Sequence, residues 1–121
     1  GTPYQGKLPI LNLYSSRKKG SFRADDHRLM VWSGQSLFSW HVNRLVAPNE
    51  RTPEHLKKRV GYFVLHQDQW WLVNEGMNTL ITLPDKKRVP IGGKIELSEG
   101  AQFILSTEEG GRLVVVQLVS N

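Results

Sequence analysis

The chain has 121 residues, with 16 Lys and Arg against 11 Asp and Glu, so its formal net charge is +5. That length suits one domain, and four Trp, three Tyr and four Phe within 39% apolar residues supply the bulk of one core, which excludes wholesale disorder. The absence of Cys excludes a disulfide scaffold, a thiolate zinc site and a thiol nucleophile, and it agrees with a reducing, cytoplasmic setting.

The chain opens on Gly1-Thr2-Pro3 in place of Met, and no signal-like segment follows. It reads as one domain, residues 1–121, excised from a longer protein beside neighbouring domains. Leu8–Tyr14 alternates around Pro9, which predicts an edge strand, because Pro brings no N–H to a ladder. Ser15–Ser21 holds the cluster Arg17-Lys18-Lys19 and reads either as a solvated turn or as a place where cations and free N–H groups hold an oxyanion. Arg28–Trp32 and Trp40–Val46 are two further strand candidates. Thr52–Arg59 is the one helical signal: Thr52 suits an N-cap, Pro53 the first helical position and Glu54 the positive end of the dipole. Two turns make a marginal helix, so this stretch is a short helix or loop insertion between strands.

From Val60 onward the period is that of strands. Val60–His66 and Trp70–Asn74 flank the polar break Asp68-Gln69 and predict a hairpin. Thr79–Leu83 ends on the turn pair Pro84-Asp85. Lys94–Ser98, Ala101–Ser106 and Arg112–Val119 follow, separated by Glu99-Gly100 and Gly110-Gly111. Turn signals at this spacing predict an all-β sandwich of about 10–11 strands. No apolar run approaches the length of a membrane span.

The residues offer little for catalysis. His27, His41, His55 and His66 lie 11–14 residues apart, with no ligand-like pairing, and each reads as a surface or strand residue in preference to a metal ligand. Asp25-Asp26 is a paired carboxylate before His27, open to an acid–base reading but better taken as a polar turn. Neither a nucleophile elbow nor a Gly-rich phosphate loop is present. The chain is therefore expected to be neither an enzyme nor a cofactor carrier. Binding has more support. Residues 1–59 hold 11 Lys and Arg against 4 Asp and Glu, whereas residues 60–121 hold 5 against 7. Such asymmetry points to a basic face and an acidic or phosphorylated partner, or to a surface merely kept soluble. Besides Arg17–Lys19, Lys57-Lys58-Arg59 and Lys86-Lys87-Arg88 are basic clusters. Trp70-Trp71 sends one indole to each strand face: one to the core, the other to a half-buried surface or a stacking platform.

Trp70-Trp71-Leu72-Val73-Asn74-Glu75-Gly76-Met77-Asn78-Thr79, then Lys87-Arg88-Val89, then Ile95-Glu96-Leu97-Ser98-Glu99-Gly100 form an ordered set of motifs. Earlier in the chain, Gly20-Ser21-Phe22-Arg23 precedes Arg28-Leu29-Met30-Val31, and Ser39-Trp40-His41-Val42-Asn43-Arg44-Leu45 follows. This order resembles a forkhead-associated domain, a β-sandwich that reads phosphothreonine with its loops, over nearly the whole chain. The resemblance implies a non-catalytic protein-binding module, with Arg17, Lys18, Lys19, Arg23, Ser39 and Asn78 at the phosphopeptide or partner site. The family also uses an Arg within Ser-Arg-x-His. With Ser39 aligned, Trp40 stands at that Arg; with His41 aligned, Ser39 does. The Gly that the family places between Asn and Thr is missing from Asn78-Thr79. Losing one charge-assisted contact to phosphate costs roughly 1.5–3 kcal/mol. Two outcomes stay open. Either Arg17, Lys18, Lys19 or Arg44 replaces the missing Arg, or the sandwich docks a protein or neighbouring domain independently of phosphate. A different class, a basic nucleic-acid-binding barrel, rests on a pI near 9.8 and on Trp70, Trp71, Tyr62 and Phe63. Against it, those aromatics lie in the acidic half while the cations lie in the other.

Overall fold

The computed structural model describes residues 7–18, 21–43, 45, 57–108 and 110–120, with the backbone alone described at 16–18 and 21–27. Strand periodicity organises them. In β4 (Arg59–His66) and β5 (Gln69–Asn74), Phe63, Trp70 and Leu72 turn inward and are buried, while Tyr62, Val64, Trp71 and Val73 turn outward and are half-buried. His66 pairs with Gln69 across a two-residue turn. Gln67 and Asp68 both adopt positive φ, at 51° and 64°, as a type I′ hairpin requires. The break thus falls at Gln67-Asp68, one residue before the expected Asp68-Gln69, because the ladder takes Gln69 as its closing pair.

Two antiparallel sheets enclose the core. One has six strands in the order β2-β1-β10-β9-β6-β7: β1 is Lys7–Lys18, β2 Ser21–Met30, β6 Ile81–Leu83, β7 Lys87–Arg88, β9 Gln102–Ile104 and β10 Arg112–Ser120. The other has four, β3-β4-β5-β8, with β3 at Ser36–Phe38 and β8 at Lys94–Glu96. The all-β fold predicted from the turn spacing is what is observed. Between the sheets, Leu11, Leu13, Val114, Val116 and Phe103 of the first meet Leu37, Phe63, Leu72 and Ile95 of the second. Full burial of side chains of this size contributes about 1.5–3 kcal/mol each. The sheets are tied at one end, where the Trp70 indole N–H donates to the Lys7 carbonyl at 3.2 Å.

Four expectations are corrected. Leu8–Tyr14 is not an edge strand: β1 lies between β2 and β10. Pro9 is tolerated because β2 ends at Met30, so the missing N–H falls at the margin of that ladder. Its carbonyl accepts from Val31 just past the end of β2, at 3.1 Å, and the N–H of Leu118 opposite turns away to the Glu99 carboxylate at 2.6 Å. Arg17 and Lys18 do not form a turn, since β1 continues through Lys18 and pairs it with Ser21. Asp25-Asp26 is likewise not a loop. It sits in a bulge of β2, where Ala24 pairs with Tyr14 and Arg28 with Asn12, leaving Asp25–His27 opposite Leu13 alone. Finally, Trp40–Val46 is not a strand. Ser39–Val42 forms a single helical turn, α1, and Asn43 then makes an isolated bridge to Gly111. Its start is closed by the Phe38 N–H, which donates to His41 Nδ1 at 2.9 Å. Of the expected Thr52–Arg59 helix, residues 52–56 lie outside the described residues; Lys57 is helical, and Arg59 already opens β4.

Candidate functional site

Three connections meet at one end of the sandwich: α1, the 75–80 segment between β5 and β6, and the 105–111 segment between β9 and β10. What brings the second of these into place is Asn74, fully buried at the end of β5. Its Nδ2 donates to the carbonyls of Met77 (2.8 Å) and Val89 (3.0 Å), and its Oδ1 accepts the Met77 N–H (2.8 Å). A short polar side chain that mimics a backbone turn is the usual way Asn folds the residues after it. Thr79 then donates its hydroxyl to the Leu105 carbonyl at 2.7 Å, which joins this loop to β9. In the third connection, Ser106 is buried and its Oγ accepts the Glu108 N–H at 3.2 Å, while Gly111 donates to the Glu108 carbonyl at 2.9 Å. The fold-back leaves no room at Gly111, where a Cβ would overlap the Ser106 carbonyl.

These loops frame a cleft of about 310 Å³ whose lining includes Ser39, Asn43, Asn78, Thr79, Ser106 and Glu108. Ser39 and Asn78, 39 residues apart in sequence, therefore face one space. A second cleft of about 420 Å³ begins on the other side of Met77 and Asn78 and is walled by Arg88, Val89, Pro90 and Ile91. Arg88 Nη2 donates to the Asn78 carbonyl at 2.7 Å, so this residue holds the wall between the two.

The remaining expected site residues lie at the same end but are placed through the backbone. Ser15 pairs with Arg112, next to the Gly111–Asn43 bridge, so Arg17 and Lys18 extend β1 past that level. Arg23 lies opposite Ser15 on β2. Lys19 and Arg44 lie outside the described residues. Trp40, at the position of the family Arg in one alignment, stacks on Phe38 with ring centroids 4.6 Å apart and planes 11° from parallel.

Sequence reasoning missed Glu108, Asn74 and Arg88 as parts of this end. Glu108-Glu109 reads as an exposed hairpin tip, and only the fold-back at Ser106 turns its first member to the cleft. Asn74 does carry a signal: an Asn that closes an alternating strand just before Glu-Gly is a turn former. The cleft facing Ser39 and Asn78 has a carboxylate and no cation among its described lining residues.

Elsewhere, Phe63 and Trp70 belong to the core, whereas the outward Tyr62 and Trp71 each carry a cation over the ring, Arg59 at 4.8 Å and Lys94 at 4.5 Å. The described residues contain no cluster of three or more metal-ligating side chains and no helix long and apolar enough to cross a membrane. Compared with known protein families, with curated proteins and with solved structures, the chain gives no match.

Proposed function

We propose that this domain is a non-catalytic docking module of forkhead-associated type, which binds a protein or a neighbouring domain through its loop end without depending on phosphate. The observation that carries the reading is the shared cleft of Ser39 and Asn78. These two come from separate motifs of the resemblance, and they converge beside Glu108 with no guanidinium among the described lining residues. Convergence supports a binding end. The carboxylate disfavours a phosphodianion there, since like charges at close range repel and an Arg fork is what phosphate recognition requires. Neutral donors and acceptors on Ser39, Asn43, Asn78 and Thr79 suit a peptide backbone or polar side chains. The β1–β2 hairpin, with Arg17, Lys18 and Arg23, biases the surroundings toward an acidic partner.

A nucleic-acid platform has less support. Base stacking needs open aromatic faces, and cations lie over the outward rings of Tyr62 and Trp71.

The test is to follow backbone amide NMR shifts while a phosphothreonine peptide library and its unphosphorylated twin are added. Shifts at Ser39–Asn43, Asn78-Thr79 and Ser106 with both libraries support the proposal. Shifts with the phosphorylated library alone, abolished by Arg23→Ala, replace it with a phosphate-reading module. A spectrum unchanged by either library rejects docking of extended peptides.

A further inference from the structure

A neutral imidazole offers one lone pair and one N–H, whereas an imidazolium offers two N–H groups and no lone pair. His41 uses the lone pair. Its Nδ1 accepts the Phe38 N–H at 2.9 Å across the start of α1, so the neutral ring carries its proton on Nε2. A proton added at Nδ1 would point at that N–H and turn the bond into a contact between two donors.

Few other bonds hold this turn among the described residues. α1 is four residues long, and none of them is buried. Asn43 donates to the Ser39 carbonyl at 3.0 Å, and Arg112 Nη1 of β10 donates to the Trp40 and His41 carbonyls at 3.4 Å. A single turn does not persist on its own backbone. Arg112 already sets a cation against α1, so an imidazolium there adds a like charge. The other described charges on neighbouring elements are Glu108, which lines the cleft with Ser39 and Asn43, and Arg59 of β4, opposite Phe38 and ion-paired to Glu75. The β1–β2 hairpin brings Arg17, Lys18 and Arg23 to the same end through its backbone. The rings of Phe38 and Trp40, with centroids 6.1 and 6.0 Å from the imidazole, carry no acceptor that could replace the lost partner.

We propose that His41 is a pH-sensitive latch on one wall of the cleft. Neutral His41 closes α1 and holds Ser39 and Asn43 in the lining shared with Asn78 and Thr79. The closed turn accepts only the neutral ring. It is therefore favoured above the pH at which His41 gains its proton, and lost as pH falls through that point. Imidazole is the side chain that ordinarily changes charge between about pH 5 and pH 8. The effect of the latch on docking rests on the reading of this cleft as a binding site, whereas the opening of α1 does not.

NMR spectra of the whole chain, recorded from pH 7.5 to pH 5.0, test the latch. At pH 7.5 the ring nitrogen shifts are expected to show a bare Nδ1 and a protonated Nε2; the opposite tautomer overturns the proposal. On acidification the Cα shifts of Ser39–Val42 are expected to move from helical to coil values, with the midpoint at which the His41 ring itself titrates. Helical shifts that persist after the ring has titrated overturn it too. His41→Asn keeps an uncharged acceptor on Cγ and is expected to hold those Cα shifts constant over the range; a transition that survives in a folded His41→Asn chain rejects the latch, and if this variant fails to fold, the parent spectra decide alone. In isothermal titration calorimetry, an unphosphorylated peptide that binds the parent at pH 7.5 is expected to bind about fivefold more weakly at pH 5.5. Absence of peptide binding at either pH would refute the docking reading and leave the latch to the spectra.

Discussion

The side chain of Asn74 holds the backbone of Met77 at both of its polar groups, donating to the carbonyl and accepting from the N–H, each at 2.8 Å. A third bond, from the same Nδ2 to the Val89 carbonyl, ties the segment after β7 to the same point. Asn74→Ala would leave three backbone groups without their partner in a buried setting, so we expect a loss of about 3 kcal/mol or more in urea unfolding. Asn74→Asp keeps the acceptor, removes both donors and buries a charge, and it should destabilise at least as much. A midpoint for Asn74→Ala within error of the parent would show that Asn74 does not organise this loop.

Gly111 meets Ser106 so closely that an added Cβ would overlap the Ser106 carbonyl. Backbone cannot yield as a flexible side chain does, so Gly111→Ala should cost about 2–3 kcal/mol. Through the Asn43–Gly111 bridge it should also move the amide resonances of α1. Gly92→Ala is the matched control. Its φ is 92° with open space around the Cβ, so it pays only backbone strain, about 1 kcal/mol. The reverse ranking in thermal unfolding would contradict this account of the β9–β10 connection.

The Arg59–Glu75 ion pair is short, at 2.6 Å, yet its side chains are 47% and 35% exposed. Solvent screening keeps such pairs weak, so Arg59→Ala should cost no more than about 1 kcal/mol, part of it from the contact with Tyr62. Raising the salt concentration should narrow the difference between parent and variant. A salt-independent loss of several kcal/mol would mean that Arg59 carries packing not accounted for by these contacts.

Trp40→Arg supplies the guanidinium that the cleft lacks beside Ser39. It should raise the preference for a phosphothreonine peptide over its unphosphorylated twin by about tenfold in isothermal titration calorimetry. Glu108→Gln should shift the preference in the same direction by removing a like charge, and the two changes should act together more strongly than either alone. No gain from the double variant would place the phosphate-facing surface elsewhere.

The hairpins were legible because their determinants are local. Alternation in Val60–Asn74 and the turn residues after Leu83 and Leu97 specify pairing between neighbours in the chain. Trp40–Val46 misled because Trp and Val favour strands as isolated residues. What makes Ser39–Val42 helical is the His41 imidazole on the Phe38 N–H, reinforced by Arg112 Nη1, which donates to the carbonyls of Trp40 and His41 at 3.4 Å from 71–72 residues away. Pro9 misled for a related reason, since its place inside a sheet depends on where β2 stops. Ser39 and Asn78 were found through motif order, but Glu108 was invisible as their neighbour. Its placement depends on the return of β10 against Ser106, a contact that no local pattern announces.

The pairing of Lys7 with Ser120 brings the first and last described strands side by side, about 5 Å apart between Cα atoms, at the end of the sandwich opposite the cleft. A host loop wide enough for two adjacent strands could therefore accept the two-sheet unit whole without being pried open. The same adjacency means that a short linker joining these strands would let the chain be reopened at the Gln67-Asp68 turn, giving a circular permutant with the cleft undisturbed.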